Sequence, residues 1–468
     1  MAADDRQTLL RRLPSVTGLL KRPEVRRWQD SFPTALVTDC LRHALARSRE
    51  QVLAGGPAEM AGADAILART EARLRELTTP RVRHAINATG ILLHTGLGRA
   101  VFPEAVVDSM ESALKGYCTL ATDPATGERV ERDELVEPIL CELTGAEAAT
   151  VVNNNAAATL LVLAALTAGK EVIVSRGQLI EIGGSFRLPE VMAQSGARLV
   201  EVGATNRTHL KDYRQALTAD TAALMRVHPS NYRVVGFTSE VALTELVALA
   251  RQHPLHPLVI DDLGAGALLP LEPFGLPHEP TARESIQAGA DIVLFSGDKL
   301  IGASQAGVIL GRKELIQRIR KHPLMRAVRL DKTCLMVLER TLHLFRDPDR
   351  LRREHPLYRM ITTPIESLRQ RAEALVAAVV THAPRVMAET GESLAYLGSG
   401  SLPTEAIPSV MVTVSVSGSS AEALARALRS DEAQVFGRIE DDRLRLDMRT
   451  VADGEIAAIA AALARATS

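Results

Sequence analysis

The sequence predicts an α/β protein with a mostly parallel central β-sheet that helices cover on both faces. Between residues 150 and 299, short apolar segments alternate with segments of helical periodicity, which is typical of this arrangement. Aromatic residues make up only 3% of the chain, fewer than a protein built from sheets alone normally uses. Alanine, leucine and valine are abundant instead. The length of 468 residues further indicates two or three domains.

Residues 1–75 are predicted to form a separate helical domain. Apolar residues recur at helical spacing in "DCLRHALARSREQVL" and again in "ADAILARTEARLREL". Residues 1–83 carry 15 Lys and Arg against 10 Asp and Glu, and residues 312–371 carry 16 against 7. Because the net charge of the whole chain is only −1, these local excesses are compatible with a polyanionic partner. A solvated helix face is the simpler interpretation of either segment alone.

Residues 84–364 are predicted to form the large α/β domain. Its buried strands are expected within the following stretches: "TVVNNN", "KEVIVSR", "GARLVEVGA", "TAALMRVHPS", "HPLVIDDLGAG" and "ADIVLFSGDK". Functional residues of parallel sheets gather at the carboxyl ends of the strands. Asn153, His228, Asp262 and Lys299 all fall at such ends, so we expect them to surround one site.

Residues 365–468 are predicted to form a smaller C-terminal α+β domain. It begins with a long helix, "PIESLRQRAEALVAAVVTHA", and continues with strands in "SVMVTVSVSG" and "DDRLRLDMRT". Helices in "SAEALARALR" and at the end of the chain complete it.

The four cysteines do not form a C-x-x-C pair, so we expect no metal site and no disulfide framework. The N-terminal "MAADDRQTLLRRL" lacks the apolar core of a signal peptide. No stretch approaches the roughly 20 apolar residues that a membrane helix needs. We therefore expect a cytoplasmic protein without a membrane partner.

Two segments could bind different parts of one cofactor. In "NNNAAATLL", Asn154, Asn155 and Ala156 lie at a predicted helix N-terminus, whose free N–H groups suit a phosphate, although asparagine is also an ordinary helix cap. In "VIDDLGAG", a buried strand ends in Asp261 and Asp262, and a buried carboxylate needs a partner. A cationic ring nitrogen would satisfy Asp262; a helix cap or a metal site are the alternatives.

The stretch "LFSGDKLIGASQAG" supplies the reactive group. Lys299, placed between a strand and small residues, can condense with an aldehyde, and Ser296 can add a hydroxyl to a phosphate site. Alone, Lys299 would be interpreted as a surface lysine. The order of anion-binding turn, buried aspartate and Ser-x-x-Lys, however, resembles that of fold-type I pyridoxal phosphate enzymes, in which the aspartate keeps the pyridine nitrogen protonated. The P-loop signature G-x-x-x-x-G-K-[ST] is absent from this stretch.

Stretches spread over nearly the whole chain resemble the bacterial selenocysteine synthases, the L-seryl-tRNA(Sec) selenium transferases. The lysine motif and "HPLMRAVRLDK" are the most specific of them. The others are "LRRLPSVTGLL", "INATGILLHTGLGRA", "VHPSNYRVVGFT", "DDLGAG" and "GRIEDDRLRLDMRT".

This resemblance implies a fold-type I scaffold (aspartate aminotransferase-like) assembled as a ring-shaped homodecamer, a pentamer of dimers. It implies an N-terminal helical domain that binds the selenocysteine tRNA charged with serine, and it implies no DNA partner. The implied reaction converts L-seryl-tRNA(Sec) on pyridoxal 5'-phosphate to an aminoacrylyl intermediate, to which selenide from selenophosphate adds to give L-selenocysteinyl-tRNA(Sec).

The resemblance also implies roles for individual residues. Lys299 is the Schiff-base lysine, and Asp298 belongs to the catalytic group. Arg99 in "GLGRA" and Arg326 in "LMRA" match arginines expected to hold the anionic selenium donor. Arg132, in the less distinctive "GERVERD", falls where another active-site arginine is expected.

Two loop residues depart from the family pattern. Gly96 stands where asparagine is expected, and Ser304 stands where proline is expected. Arg445 and Arg449 could be mistaken for a clamp on a substrate carboxylate, but a seryl ester has no free carboxylate, and we expect both to pair with Asp447 and nearby acids.

Two other functions remain open at this point. A pyridoxal phosphate-dependent lyase acting on a free amino acid or a sugar acid would share the "SGDK" core, but it would have no need of a basic helical N-terminal segment. A non-catalytic RNA-binding protein would have no need of Lys299, Asp262 and the arginines.

Overall fold

The computed structural model describes residues 3–55, 57–182 and 186–467. The chain forms two compact units, Met1–His84 and Ala85–Ser468. None of the described helices is long and apolar enough to cross a membrane.

The first unit is helical. Its helices, numbered in chain order, are α1 (Ala3–Arg12), α2 (Val16–Leu19), α3 (Pro23–Ser31), α4 (Thr34–Leu53) and α5 (Ala63–Thr78). Helix α4 buries Val37, Leu41 and Ala44 at helical spacing, and these residues pack with Ile66 and Leu74 of α5. This packing explains why the two periodic stretches form helices. The stretch that connects α4 and α5 contains a short 3-10 helix, Ala58–Ala61.

The centre of the second unit is a seven-stranded sheet. The strands of this unit, again in chain order, are β1 (Ile86–Asn87), β2 (Ala148–Val152), β3 (Glu171–Ser175), β4 (Glu181–Ile182), β5 (Phe186–Arg187), β6 (Arg198–Val202), β7 (Thr221–Val227), β8 (Leu258–Gly264), β9 (Ile292–Ser296), β10 (Gly307–Gly311), β11 (Val386–Gly398), β12 (Ser401–Val416), β13 (Val435–Phe436), β14 (Arg438–Glu440) and β15 (Arg443–Asp447). The strand order of the large sheet is β2-β10-β9-β8-β7-β3-β6.

The large sheet is parallel except for one strand. β10 runs antiparallel to both of its neighbours, β2 and β9, whereas the remaining pairs are parallel. Every residue of β2, β9 and β10 is buried, as expected for a sheet that is covered on both faces. The mostly parallel α/β prediction is therefore confirmed.

Helices precede, connect and follow the strands of this sheet along the chain. They are α6 (Glu104–Lys115), α7 (Glu137–Thr144), α8 (Asn155–Thr167), α9 (Leu188–Gln194), α10 (Leu210–Ala216), α11 (Leu243–Gln252), α12 (Ala282–Gln287), α13 (Lys313–Lys321), α14 (Leu324–Ala327), α15 (Lys332–Leu342), α16 (Pro348–Glu354) and α17 (Pro356–Thr362).

A four-stranded antiparallel sheet of order β11-β12-β15-β14 follows. Its helices are α18 (Ile365–His382), α19 (Ala421–Ser430) and α20 (Ile456–Ala466), and Leu368, Leu428 and Leu463 of these helices pack in one core with Val412 and Leu444 of the sheet. Both sheets belong to the second compact unit. A domain boundary at residue 365, where α18 begins, therefore stays a prediction, as do the exact limits 1–75 and 84–364.

Candidate active site

A cavity of about 520 Å³ lies at the carboxyl ends of β2, β7, β8 and β9, and we call it the lysine cavity. Nine of the residues singled out in the sequence line it: Arg99, Asn154, Asn155, Ala156, His228, Asp262, Ser296, Asp298 and Lys299. Asn154, His228 and Lys299, which are far apart in the chain, meet here because the ends of parallel strands share one edge of the sheet.

Lys299 lies three residues beyond the end of β9 and is only 5% exposed. Two side chains hydrogen-bond to the backbone that follows Lys299. The Tyr358 hydroxyl donates to the carbonyl of Leu300 (2.9 Å), and His355 Nε2 donates to the carbonyl of Ile301 (3.0 Å). Burial lowers the pKa of the Lys299 amine, and the nearby Asp298 and Asp262 carboxylates partly oppose this effect. A lowered pKa makes the neutral, nucleophilic amine more accessible.

Asp262 lines the same cavity, and both of its carboxylate oxygens have hydrogen-bond partners. Its Oδ1 accepts hydrogen bonds from Asn155 Nδ2 (2.9 Å) and from the Gly264 amide (3.0 Å), and its Oδ2 lies 3.2 Å from the Thr159 hydroxyl. Burial raises the pKa of Asp262, while these hydrogen bonds lower it. The site thus holds a carboxylate that a cationic group in the cavity would stabilise.

Glycine is required at position 264. Its φ of +64° lies in the left-handed region, and a Cβ there would stand 2.8 Å from Ser230 Oγ. This turn directs the Gly264 amide back to Asp262. The neighbouring Asp261 does not line the lysine cavity; it forms a two-point ion pair with Arg226 at 2.6 and 2.7 Å.

The N-terminus of α8 completes the site. Asn154 caps this helix by accepting a hydrogen bond from the Ala157 amide (2.8 Å), and Asn155 and Ala156 line the cavity. Within the described residues, nothing donates to the buried Oδ1 of Asn155. A buried amine, a buried carboxylate and a helix N-terminus around one cavity fit the aldehyde, the ring nitrogen and the phosphate of pyridoxal phosphate.

Replacing Asn155 with alanine tests how Asp262 is held. The substitution removes one of the donors that favour the charged carboxylate, so we expect the affinity for pyridoxal phosphate to fall by about tenfold, which is about 1.4 kcal/mol. Fluorescence titration of the cofactor-free protein measures this affinity. Asn206→Ala, outside the cavity, is the control, and an Asn155→Ala protein with unchanged affinity would contradict the role.

Arg99 and Asp298 form an ion pair at the edge of the lysine cavity. Arg99 Nη1 lies 2.7 Å from Asp298 Oδ2. The backbone of Arg99 has a φ of +64°, a left-handed conformation that is uncommon for any residue except glycine and that clusters at functional sites. Its amide donates to the carbonyl of His94 (3.0 Å), which closes the turn.

Arg132 and Arg326 lie elsewhere in the chain. They line a second cavity of about 350 Å³, the arginine cavity, together with Arg129 and Arg329. Burial and the neighbouring guanidinium groups of Arg132, Arg326 and Arg129 lower the pKa of Arg329. Within the described part of the chain, the two cavities share no lining residue, so one chain brings Arg99 to Lys299 but does not bring Arg132 or Arg326 there.

The two departures from the family pattern are accommodated locally. Ser304 is buried, and its hydroxyl donates to the carbonyl of Cys334 (2.7 Å). Gly96 is exposed in a short 3-10 helix, Thr95–Leu97. Neither residue lines the lysine cavity or the arginine cavity.

The expectation for Arg445 is confirmed for the nearby acids and wrong for Asp447, and that for Arg449 is partly wrong. Arg445 pairs with Glu440 and Asp441, whereas Asp447 forms its ion pair with Arg438. The guanidinium of Arg449 instead donates to backbone carbonyls, including those of Met360 (2.7 Å) and Thr363 (3.1 Å), because it is buried where three chain segments meet. Neither arginine lines the lysine cavity.

Sequence reasoning missed several residues of these sites. Thr159, Asn231 and Gln305 line the lysine cavity, and Arg129 and Arg329 line the arginine cavity. Arg329 could have been found from the sequence, because it lies three residues after Arg326. Thr159 could have been found as well, because it lies one helical turn after Asn155.

The fold and the lysine cavity together define a fold-type I pyridoxal phosphate enzyme. The chain resembles the solved structure of a D-glucosaminate-6-phosphate ammonia-lyase, with a TM-score of 0.57 and 23% identity over 83% of this chain and 99% of that one. That likeness concerns the fold alone.

The chain belongs to the L-seryl-tRNA selenium transferase family. The family model of that description matches residues 85–452, and the model for the selenocysteine synthase N-terminal region matches residues 10–49. An L-seryl-tRNA(Sec) selenium transferase of Methylocella silvestris is 47% identical over 447 residues, which covers 95% of each chain. Another, of Geotalea daltonii, is 45% identical over 457 residues and covers 97% of this chain and 98% of that one.

Proposed function

We propose that this chain converts L-seryl-tRNA(Sec) to L-selenocysteinyl-tRNA(Sec), with pyridoxal phosphate as its cofactor and selenophosphate as the selenium donor. The observation that carries this proposal is the meeting of Lys299 and Asp262 in one buried cavity of a chain that matches the family over nearly its full length. When bound, pyridoxal phosphate withdraws electrons from the serine Cα, which permits loss of the Cα proton and of the β-hydroxyl group.

Different residues of the lysine cavity have different roles in this reaction. Lys299 would hold the cofactor through its aldehyde, and the Lys299 amine would be placed to accept the Cα proton. Asp262 would balance a positive ring nitrogen, and the N-terminus of α8 would hold the phosphate. The serine is esterified to tRNA, so no arginine is needed for its carboxylate. This agrees with the engagement of Arg445 and Arg449 elsewhere.

The arginine cavity suits the selenium donor. Selenophosphate is a small anion, and guanidinium groups bind phosphate oxygens through paired donors. Arg320 in the same cavity is neutralised by Asp133 (2.6 Å) and Glu137 (2.8 Å). Among the other described lining residues, Arg129, Arg132, Lys321, Arg326 and Arg329 face one further carboxylate, Glu131, so the cavity keeps an excess of positive charge.

Arg326→Ala is expected to spare the cofactor and impair selenium transfer. Since Arg326 lies outside the lysine cavity, cofactor absorbance and tRNA binding should stay normal. Turnover at limiting selenophosphate should fall by at least about tenfold, or about 1.4 kcal/mol. Arg318→Ala, an exposed arginine of α13 outside the arginine cavity, is the matched control. Normal turnover of the Arg326→Ala protein at limiting selenophosphate would remove Arg326 from the donor site.

The separation of the two cavities favours a homo-oligomer in which the arginine cavity of one copy meets the lysine cavity of another. A ring of ten copies is the assembly that the family resemblance implies. Mixing the inactive Lys299→Ala protein with the impaired Arg326→Ala protein at limiting selenophosphate tests this arrangement. Activity of the mixture above that of Arg326→Ala alone supports sites shared between copies, and no such increase in mixed oligomers contradicts them.

The competing function is a lyase acting on a free amino acid or a sugar acid. The two functions differ in their substrate, so the test compares seryl-tRNA(Sec), free serine and a phosphorylated amino-sugar acid at equal concentrations. We expect turnover of the aminoacyl-tRNA alone. Ammonia release from either free acid without turnover of seryl-tRNA(Sec) would favour the lyase. Because the proposed substrate is made for translation, we place the enzyme in the cytoplasm.

A further inference from the structure

Glu279 is a buried carboxylate next to the lysine cavity. It lies between the two short elements Glu272–Phe274 and α12 and is 5% exposed. Its Oε1 stands 3.2 Å from His228 Nε2. In the part of the chain that the structure describes, His228 is its one ion-pair or side-chain hydrogen-bond partner. Burying a carboxylate that has a single partner costs folding free energy. The contact with His228 therefore points to a functional role for Glu279.

His228 stands between two cavities. It lines the lysine cavity, and it also lines a smaller cavity of about 290 Å³ whose wall includes Glu279. It directly follows the last residue of β7, and its amide donates to the carbonyl of Asp262 (2.8 Å). The backbone of His228 is thus fixed beside Asp262, while Nε2 is engaged by a residue that does not line the lysine cavity.

The carboxylate restrains the orientation of the imidazole. The contact of 3.2 Å holds Nε2 on the side of Glu279. Rotation of the ring about the Cβ–Cγ bond would break this contact, so the contact also determines where Nδ1 lies. A histidine that is free to rotate would offer either nitrogen to a bound molecule.

We propose that Glu279 is a positioning residue that acts through His228, holding one orientation of its imidazole against the cofactor in the lysine cavity. This inference rests on the proposed function, because it requires pyridoxal phosphate in that cavity. The alternative is that Glu279 only anchors its own loop to the end of β7. The alternative predicts a loss of stability without a change in the bound cofactor.

A double-mutant cycle separates the two explanations, because it measures whether two residues act together. Glu279→Leu and His228→Ala are made singly and together, and Glu279→Leu keeps a buried side chain of similar size while removing the oxygen atoms that contact Nε2. Three quantities are measured for each purified protein: the visible absorbance spectrum of bound pyridoxal phosphate, the cofactor dissociation constant, and the melting temperature. Glu240→Leu, a change of another glutamate lining the smaller cavity, is the matched control.

We expect Glu279→Leu to weaken cofactor binding about fivefold and to shift the visible absorbance band. In the His228→Ala background, the same change should alter the dissociation constant by less than about twofold, because its effect passes through the imidazole. Glu240→Leu should resemble the wild type.

Two results would overturn the proposal. One is an unchanged band and dissociation constant in Glu279→Leu, whatever its melting temperature. The other is an equal effect of Glu279→Leu with and without His228. Failure of the proposed function is distinguishable from both, because a wild-type protein without any visible cofactor band contradicts the cofactor assignment and this inference together.

Discussion

Replacing Lys299 with alanine is expected to eliminate the covalent bond between the protein and pyridoxal phosphate. The mutant should lose the visible absorbance of the bound cofactor, and borohydride should no longer fix the cofactor to the chain. Conversion of seryl-tRNA(Sec) should fall by at least about a thousandfold, or about 4 kcal/mol of transition-state stabilisation. Among the residues that the structure describes, Lys299 is the one lysine that lines the lysine cavity, so the nucleophile and the base are lost together.

Mass spectrometry of borohydride-reduced wild-type protein provides the matching positive result. The reduced cofactor should be found on the peptide that contains Lys299. Lys313→Ala, which changes the first residue of α13, is the control and should retain full absorbance. A Lys299→Ala protein that still carries a borohydride-reducible lysyl bond would contradict the assignment.

Deleting residues 1–84 is expected to separate tRNA binding from cofactor binding. The first compact unit ends at His84, so the deletion should leave a folded core that retains its cofactor. Affinity for the selenocysteine tRNA should drop by at least about tenfold, or about 1.4 kcal/mol. The removed segment carries an excess of Lys and Arg, and contacts with phosphates release counterions, so the lost affinity should be strongly salt-dependent.

Filter binding of full-length and shortened protein at several salt concentrations measures this effect, with a serine tRNA as the control. Discrimination between the two tRNAs must come from shape or unpaired bases, because the major groove of A-form RNA is too narrow to be read. Unchanged affinity and discrimination in a shortened protein of unchanged oligomeric size would assign tRNA recognition to the core, where the basic segment 312–371 is the first candidate.

The fold was predictable where sequence periodicity was strong. Strands β7, β8 and β9 are runs of apolar residues that end in polar or small ones, and the helices between them have a regular apolar face. Strand β10 was not predicted. Its five residues, Gly307–Gly311, show no alternation, and its antiparallel direction depends on pairing with β9 and β2. Such pairing is a tertiary contact that local sequence does not encode.

The lysine cavity was predictable for a similar reason. Lys299 and Asn154 each follow a strand and Asp262 lies near the end of β8, so a parallel sheet brings them together. The sequence did not predict that Arg132 and Arg326 line a different cavity from Lys299. That division depends on how the segment containing Arg132 and helix α14 pack. The Glu279 contact with His228 joins residues 51 positions apart through a loop that has no periodic pattern, and the sequence contains no signal for it.

The most direct test of the account is to identify the amino acid on the tRNA after the reaction. Seryl-tRNA(Sec) is incubated with the purified protein, pyridoxal phosphate and selenophosphate, and the aminoacyl group is then released and analysed by mass spectrometry. The account predicts selenocysteine from the wild type, only serine from Lys299→Ala, and only serine from seryl-tRNA(Ser). Serine recovered unchanged from a wild-type protein that carries its full complement of cofactor would contradict it.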